Sequence, residues 1–171
     1  MATTYEAIAT VTVGSGGAAN IEFTSIPATY TDLLILASVR STGGNGTCNV
    51  YFNNDTTDAN YDSRRLLGDG SSASSGNQPD LPYFLYANAS TMTSNTFASN
   101  CLYIPNYAGS NYKSISLDVV MENNATLAYS FLVAGIWNST SAITSIKLDP
   151  ASGSENFTQY STATLYGIKN S

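Results

Sequence analysis

The sequence predicts an all-β protein: a single antiparallel β-sandwich, jelly-roll-like, with ten or eleven strands spread over residues 1–171. Three observations predict it. Short segments in which apolar residues alternate at period two recur along the whole 171-residue chain, and that period buries one face of a strand. Clusters of Gly, Asn and Ser punctuate these segments at the short, regular spacing of sandwiches and not of βαβ units. No stretch of useful length carries a helical period. A chain of this size buries roughly 70% of the surface its unfolded form exposes, so neither a metal nor a disulfide is needed to hold it.

The elements follow in order. Residues 5–13 (YEAIATVTV) alternate from the start. Gly14-Ser15-Gly16-Gly17 then reads as a hairpin turn, since it lacks both the lysine of a phosphate loop and the helix that should follow one. Segments 20–24, 32–40 and 48–52 come next, with Gly43-Gly44-Asn45-Gly46 as a turn. Residues 64–67 form a short strand between two polar stretches, 53–62 and 68–80. The second, GDGSSASSGNQPD, is predicted to be a long exposed loop because its side chains are too small and polar to pack a core.

Segments 83–87 and 96–104 lead to the clearest strand, Lys113–Glu122. There Ile115, Leu117, Val119 and Met121 share one face, while Ser114, Ser116, Asp118 and Glu122 share the other. Asn123-Asn124 supplies turn chemistry, because Asn tolerates left-handed backbone angles. Residues 127–137 (LAYSFLVAGIW) should pair back as a hairpin, and their nearly continuous apolar run predicts a central strand covered on both sides. Trp137, near the end of that strand, is expected to aim its indole N–H at a polar partner. Segments 142–148 and 161–169 complete the series, with Ser110-Asn111 and Asp149-Pro150 as turns.

Composition limits function. The chain has no histidine, only 11% charged residues and a net charge of −6, so the commonest general acid/base is missing. Its six basic residues, Arg40, Arg64, Arg65, Lys113, Lys147 and Lys169, form no stripe that could follow a phosphate backbone. No apolar run reaches the ~18 residues of a membrane span. The N-terminus enters strand alternation at once without a signal-peptide pattern, which predicts cytoplasmic synthesis of a chain beginning near Met1. Cys48 and Cys101 both fall in strand-like segments and are predicted to be buried free thiols rather than a disulfide.

The same reasoning predicts no catalytic residue, no cofactor and no metal site. Asp55, Asp58 and Asp62 lie in one loop, but their spacing is not that of a calcium loop, and a solvated acidic turn is the expectation. Asp118 and Glu122 stand about 13 Å apart along one strand, too far for the carboxylate pair of a glycosidase. Twelve tyrosines offer rigid contact area with polar tips. Tyr103, Tyr107 and Tyr112 are the candidate interface, with Tyr83, Phe84 and Tyr86 a second cluster. Arg64 and Arg65 are the candidate basic contacts, weighed against local pairing with Asp62 or Asp69.

Several longer phrases resemble a known family: SIPATYTDLLILASVRS at 25–41, RRLLGDGSS at 64–72, LYIPNYAGSNYKSIS at 102–116, AGIWNSTSAITSIKL at 134–148 and LYGIKNS at 165–171. Together they resemble the small β-sandwich virion proteins of tailed bacteriophages, especially phages of aquatic bacteria. The resemblance implies a non-enzymatic head decoration or cement protein on the outer surface of the capsid. Its partners would be the major capsid protein and copies of itself, as a homotrimer at threefold positions, with no nucleic acid and no membrane. Residues 1–5 would then be an attachment arm or an edge strand. The alternative is a carbohydrate- or receptor-binding module of a tail fibre, which would contact a host-surface glycan.

Overall fold

The structure is a computed structural model that describes residues 4–126, 128–151 and 153–169. The described residues form twelve strands: β1 Tyr5–Thr12, β2 Ile21–Phe23, β3 Asp32–Val39, β4 Thr47–Phe52, β5 Tyr61–Gly68, β6 Ala73–Pro79, β7 Leu85–Tyr86, β8 Ala98–Ile104, β9 Lys113–Glu122, β10 Ala128–Trp137, β11 Ile146–Pro150 and β12 Thr162–Ile168. They build two antiparallel sheets. One has eight strands in the order β1-β12-β3-β8-β9-β10-β5-β6, and the other has four in the order β2-β11-β4-β7. The all-β sandwich predicted from periodicity is the observed fold.

Strand pairing is nested. β1 pairs with β12 and β3 with β8 in the long sheet, while β2 pairs with β11 and β4 with β7 in the short one. Two hairpins, β5–β6 and β9–β10, extend the long sheet beyond β8. β9 and β10 meet at the predicted Asn turn, where Asn124 adopts φ 57°.

The core lies between the sheets. β9 shows the clean alternation its sequence predicts, with Ile115, Leu117, Val119 and Met121 buried. Because the short sheet is only half as wide as the long one, the inner face of β10 and β5 needs other cover, and the segment before β7 supplies it. Phe84 is fully buried and packs near-parallel to Phe52 with centroids 6.5 Å apart, while Phe52 lies 5.5 Å from Trp137. Gly135 admits that ring, since a Cβ there would lie 2.2 Å from Phe84 Cε1.

Several expectations are corrected. Residues 68–80 are not a loop: they turn at Asp69 and return as β6, paired to β5 along its length. β6 is an edge strand with no fully buried position, so its order comes from backbone hydrogen bonds and the apolar pattern that usually betrays a strand is absent. Asp69 makes the turn, its carboxylate accepting from the Ser71 and Ser72 backbone N–H groups at 2.9 and 2.7 Å. These bonds hold its pKa down at about 2. The 14–17 turn carries the chain from β1 to β2 in the other sheet, so it is not a hairpin. β11 starts at Ile146, because the Thr144 and Ser145 N–H groups are taken by the Asn53 side chain. Cys48 is buried and Cys101 is exposed, both as free thiols. Residue 127 and residues 1–3, which the predicted strand start and attachment arm include, lie outside the described residues, and Tyr5 opens edge strand β1.

Trp137 finds the partner its position requires. Its indole N–H donates to Asp55 Oδ2 at 2.9 Å, and the Asn60 amide donates to the same oxygen at 2.8 Å. Burial pushes the Asp55 carboxyl up, but the hydrogen bonds from Trp137, Asn60 and Thr57 outweigh it and hold the pKa below the ordinary carboxylate value. A depressed folded pKa stabilises the protein above the unfolded value of ~3.9 and the benefit disappears as pH falls through the folded one. Emission from the single tryptophan is therefore expected to stay constant from neutral pH to about 4 and to shift below it. In Asp55→Asn, which keeps an acceptor for the indole but cannot ionise, an acid titration should show that step gone.

Candidate functional site

The outer face of the long sheet is the site that the fold leaves open. Cross-strand register sets one row across all eight strands: Thr10, Thr164, Leu36, Cys101, Asp118, Leu132, Leu66 and Ser75. Residues directly opposite on an antiparallel pair share a face, so this row is a continuous surface line. Leu36, Leu132 and Leu66 are 44%, 53% and 57% exposed, and Val120 of the neighbouring row is 46% exposed. Scattered surface leucines are ordinary, but here Leu132 and Leu66 are neighbours with Val120 beside them, and Leu36 stands on the same face beyond Asp118 and Cys101, which makes the face a candidate interaction surface.

The β10 run was expected to be covered on both sides. Its inner parity, Phe131 and Val133, is buried, whereas the outer parity, Leu132 and Ala134, faces solvent. The apolar run had two causes, then: a core on one side and an uncovered apolar strip on the other. Val120 gives the same signal, being the one apolar residue in the otherwise polar parity of β9.

Asp118 stands in the middle of the row, between Cys101 and Leu132. Beside it runs a more polar row containing Tyr166, Leu34, Tyr103, Ser116, Ala134, Arg64 and Asn77. Tyr103 and Arg64, two of the sequence-nominated contacts, thus share this face, three strand spacings or about 14 Å apart. The Tyr103 hydroxyl donates to Asp32 Oδ2 at 2.9 Å, and this bond raises its pKa. Arg64 pairs with Asp62 at 2.6 Å with both side chains largely exposed, an arrangement that contributes little to stability.

The other three nominees lie elsewhere. Tyr107 is 0% exposed and its hydroxyl donates to the Pro27 carbonyl, so it is a core residue and presents no contact surface. Tyr112 is 60% exposed, in the turn before β9. Arg65 sits on the inner face of β5, opposite Val133, because adjacent residues of a strand point to opposite faces. The adjacent arginines therefore do not form one basic contact. Leu36, Leu66, Cys101, Val120 and Leu132 were missed by sequence reasoning, which treats apolar residues in strands as core.

Chemically the face can bury apolar area and form one central ion pair at Asp118. Among the described residues, no group of three or more Cys, Asp or Glu side chains is placed to hold a metal ion. Comparison with protein-family models, with curated proteins and with solved structures finds no match to this chain.

Proposed function

We propose that this protein is a non-enzymatic structural component that docks through the open face of its long sheet onto a larger protein assembly, as a decoration or cement protein does on a tailed-phage head. The observation that supports this is the exposed row from Leu36 through Asp118 to Leu66. Eight strands at ~4.8 Å spacing and roughly 20 Å of strand length give a face of the order of the ~800 Å² per partner that a stable interface buries. Pairing two such faces would set the two Asp118 carboxylates near each other on chains that each carry net charge −6. A partner with an apolar ridge and a lysine or arginine opposite Asp118 fits better. The nested pairing of β1/β12, β2/β11, β3/β8 and β4/β7 supports reading the core as a jelly roll, with the two extra hairpins widening the docking sheet. The phage assignment itself draws on the resemblance of the sequence phrases.

The test is electron microscopy of virions that carry this protein, combined with Leu66→Asp/Leu132→Asp. Full burial of a leucine is worth ~1.5–3 kcal/mol and about half of each of these side chains is still exposed, so the double variant should lose at least about tenfold in affinity for the shell while unfolding at the wild-type temperature. Density at capsomer junctions with the long sheet facing the shell is the expected result. Density at fibre tips, or undiminished occupancy of the variant, overturns the proposal.

A further inference from the structure

Beside the β9–β10 turn a groove of about 410 Å³ opens between the sheets, lined by Tyr86, Tyr129, Phe131, Met92, Arg65 and Asn45 among others. That size is within the ~300–1,000 Å³ range of small-molecule sites. One wall is aromatic: Tyr86 stacks on Phe131 with centroids 4.4 Å apart, and Tyr129 lies 6.2 Å from Phe131. The loop that carries Met92 is held from below by the buried Arg40, which donates to the Met92 carbonyl at 2.9 Å.

Two polar groups meet in this groove, the Tyr86 hydroxyl and the Arg65 guanidinium. The Tyr86 hydroxyl is buried at the back of the groove, beside the Arg65 side chain. Burial pushes the hydroxyl's pKa up, and the hydrogen bond and positive charge of the Arg65 guanidinium partly offset that push. Arg65 is half-buried and lies over Gly76, where a Cβ would come within 3.1 Å of Nε. It makes no ion pair among the described residues, whose ion pairs belong to Arg64, Lys147 and Lys169. Arginines withdrawn from water normally have an anionic or carbonyl partner, as Arg40 does.

We propose that this groove binds an acidic saccharide, a hexuronate unit whose carboxylate pairs with Arg65, whose apolar ring face lies on Tyr129, and whose hydroxyls bond the Asn45 amide. The planar guanidinium fork matches a carboxylate, and an aromatic face next to amide and hydroxyl groups suits a pyranose ring. A neutral sugar would leave Arg65 without an anionic partner, and a small carboxylate would leave the aromatic wall uncovered. The site is independent of the docking face, because Arg65 and Leu66 point to opposite sides of β5.

The experiment is an NMR titration of the full chain with glucuronate, alongside glucose and acetate. A single cation on an acidic protein gives little steering, so a Kd in the millimolar range is expected. Glucuronate should move the resonances of Tyr86, Tyr129 and Phe131, with glucose and acetate weaker by about tenfold or more. Arg65→Gln should weaken glucuronate by a similar factor with a near wild-type unfolding temperature, and Tyr129→Ala, at a half-buried position, should do so independently. Unmoved groove resonances, acetate binding as well as glucuronate, or full affinity in both variants overturns the proposal. None of these outcomes bears on occupancy of the virion, so the groove and the docking face fail separately.

Discussion

Replacing Arg40 with alanine is expected to lower the free energy of unfolding by about 3 kcal/mol, the upper range for removing a buried charged donor and leaving carbonyls without a partner. Arg40 is buried and its guanidinium has only carbonyls and a hydroxyl around it. Nη1 donates to the Thr93 carbonyl at 2.8 Å and the Thr96 carbonyl at 3.2 Å, and Nη2 donates to the Met92 carbonyl at 2.9 Å and the Ser90 carbonyl at 3.4 Å. One side chain thus ties four carbonyls of the loop between β7 and β8 to the end of β3, beside the backbone bonds that the loop makes from Ser90, Met92 and Thr96. Without it, carbonyls lose their donor and the loop loses its anchor. For a domain with ~5–15 kcal/mol in total the loss is large. Urea unfolding checks it, and Arg40→Lys should recover only part, because an ammonium lacks the fork that reaches several carbonyls at once. A change under about 1 kcal/mol would show that water replaces the guanidinium freely.

The second large effect is expected at Gly135. Its position opposite Phe84 leaves no room for a methyl group, with the nearest ring atom 2.2 Å from where a Cβ would stand. The ring cannot retreat, because Phe84 is fully buried and boxed by Phe52 and Tyr61 at 6.5 and 6.1 Å. Gly135→Ala should cost about 3 kcal/mol, at the upper end of overpacking effects. Phe84→Ala alone should cost ~3–5 kcal/mol by leaving a cavity. In that background the added methyl at 135 should cost little, so the two changes are strongly non-additive. A double-mutant cycle by denaturant unfolding reads this directly, and simple additivity would mean that the ring and the backbone do not meet.

How much was legible in the sequence differs from element to element. β9 was readable to the residue because one of its faces is buried and the other wet, so period two is written into the chain. β6 was unreadable, because ASSGNQP places nothing in the core and its strand geometry is imposed by pairing with β5. Trp137 and its need for a polar partner could be foreseen, but Asp55, 82 residues earlier, could not. Of the nominated interface residues, Tyr103 and Arg64 share one face, three strands apart. Tyr107 resembles them in sequence and is core, since tyrosine composition does not say on which side of a sheet the ring lies.

The sequence by itself determined that this chain is an antiparallel sandwich, that it lacks histidine, and which parity of its best strands faces inward. Those are local properties, set by side-chain period and turn chemistry within a few residues. Only the tertiary structure decided that the two sheets are unequal, eight strands against four, and that Leu36, Asp118, Leu132 and Leu66 fall into one register row. Which strands become neighbours depends on pairing between segments up to about 160 residues apart. An exposed leucine and a buried one carry the same letter until that pairing places them.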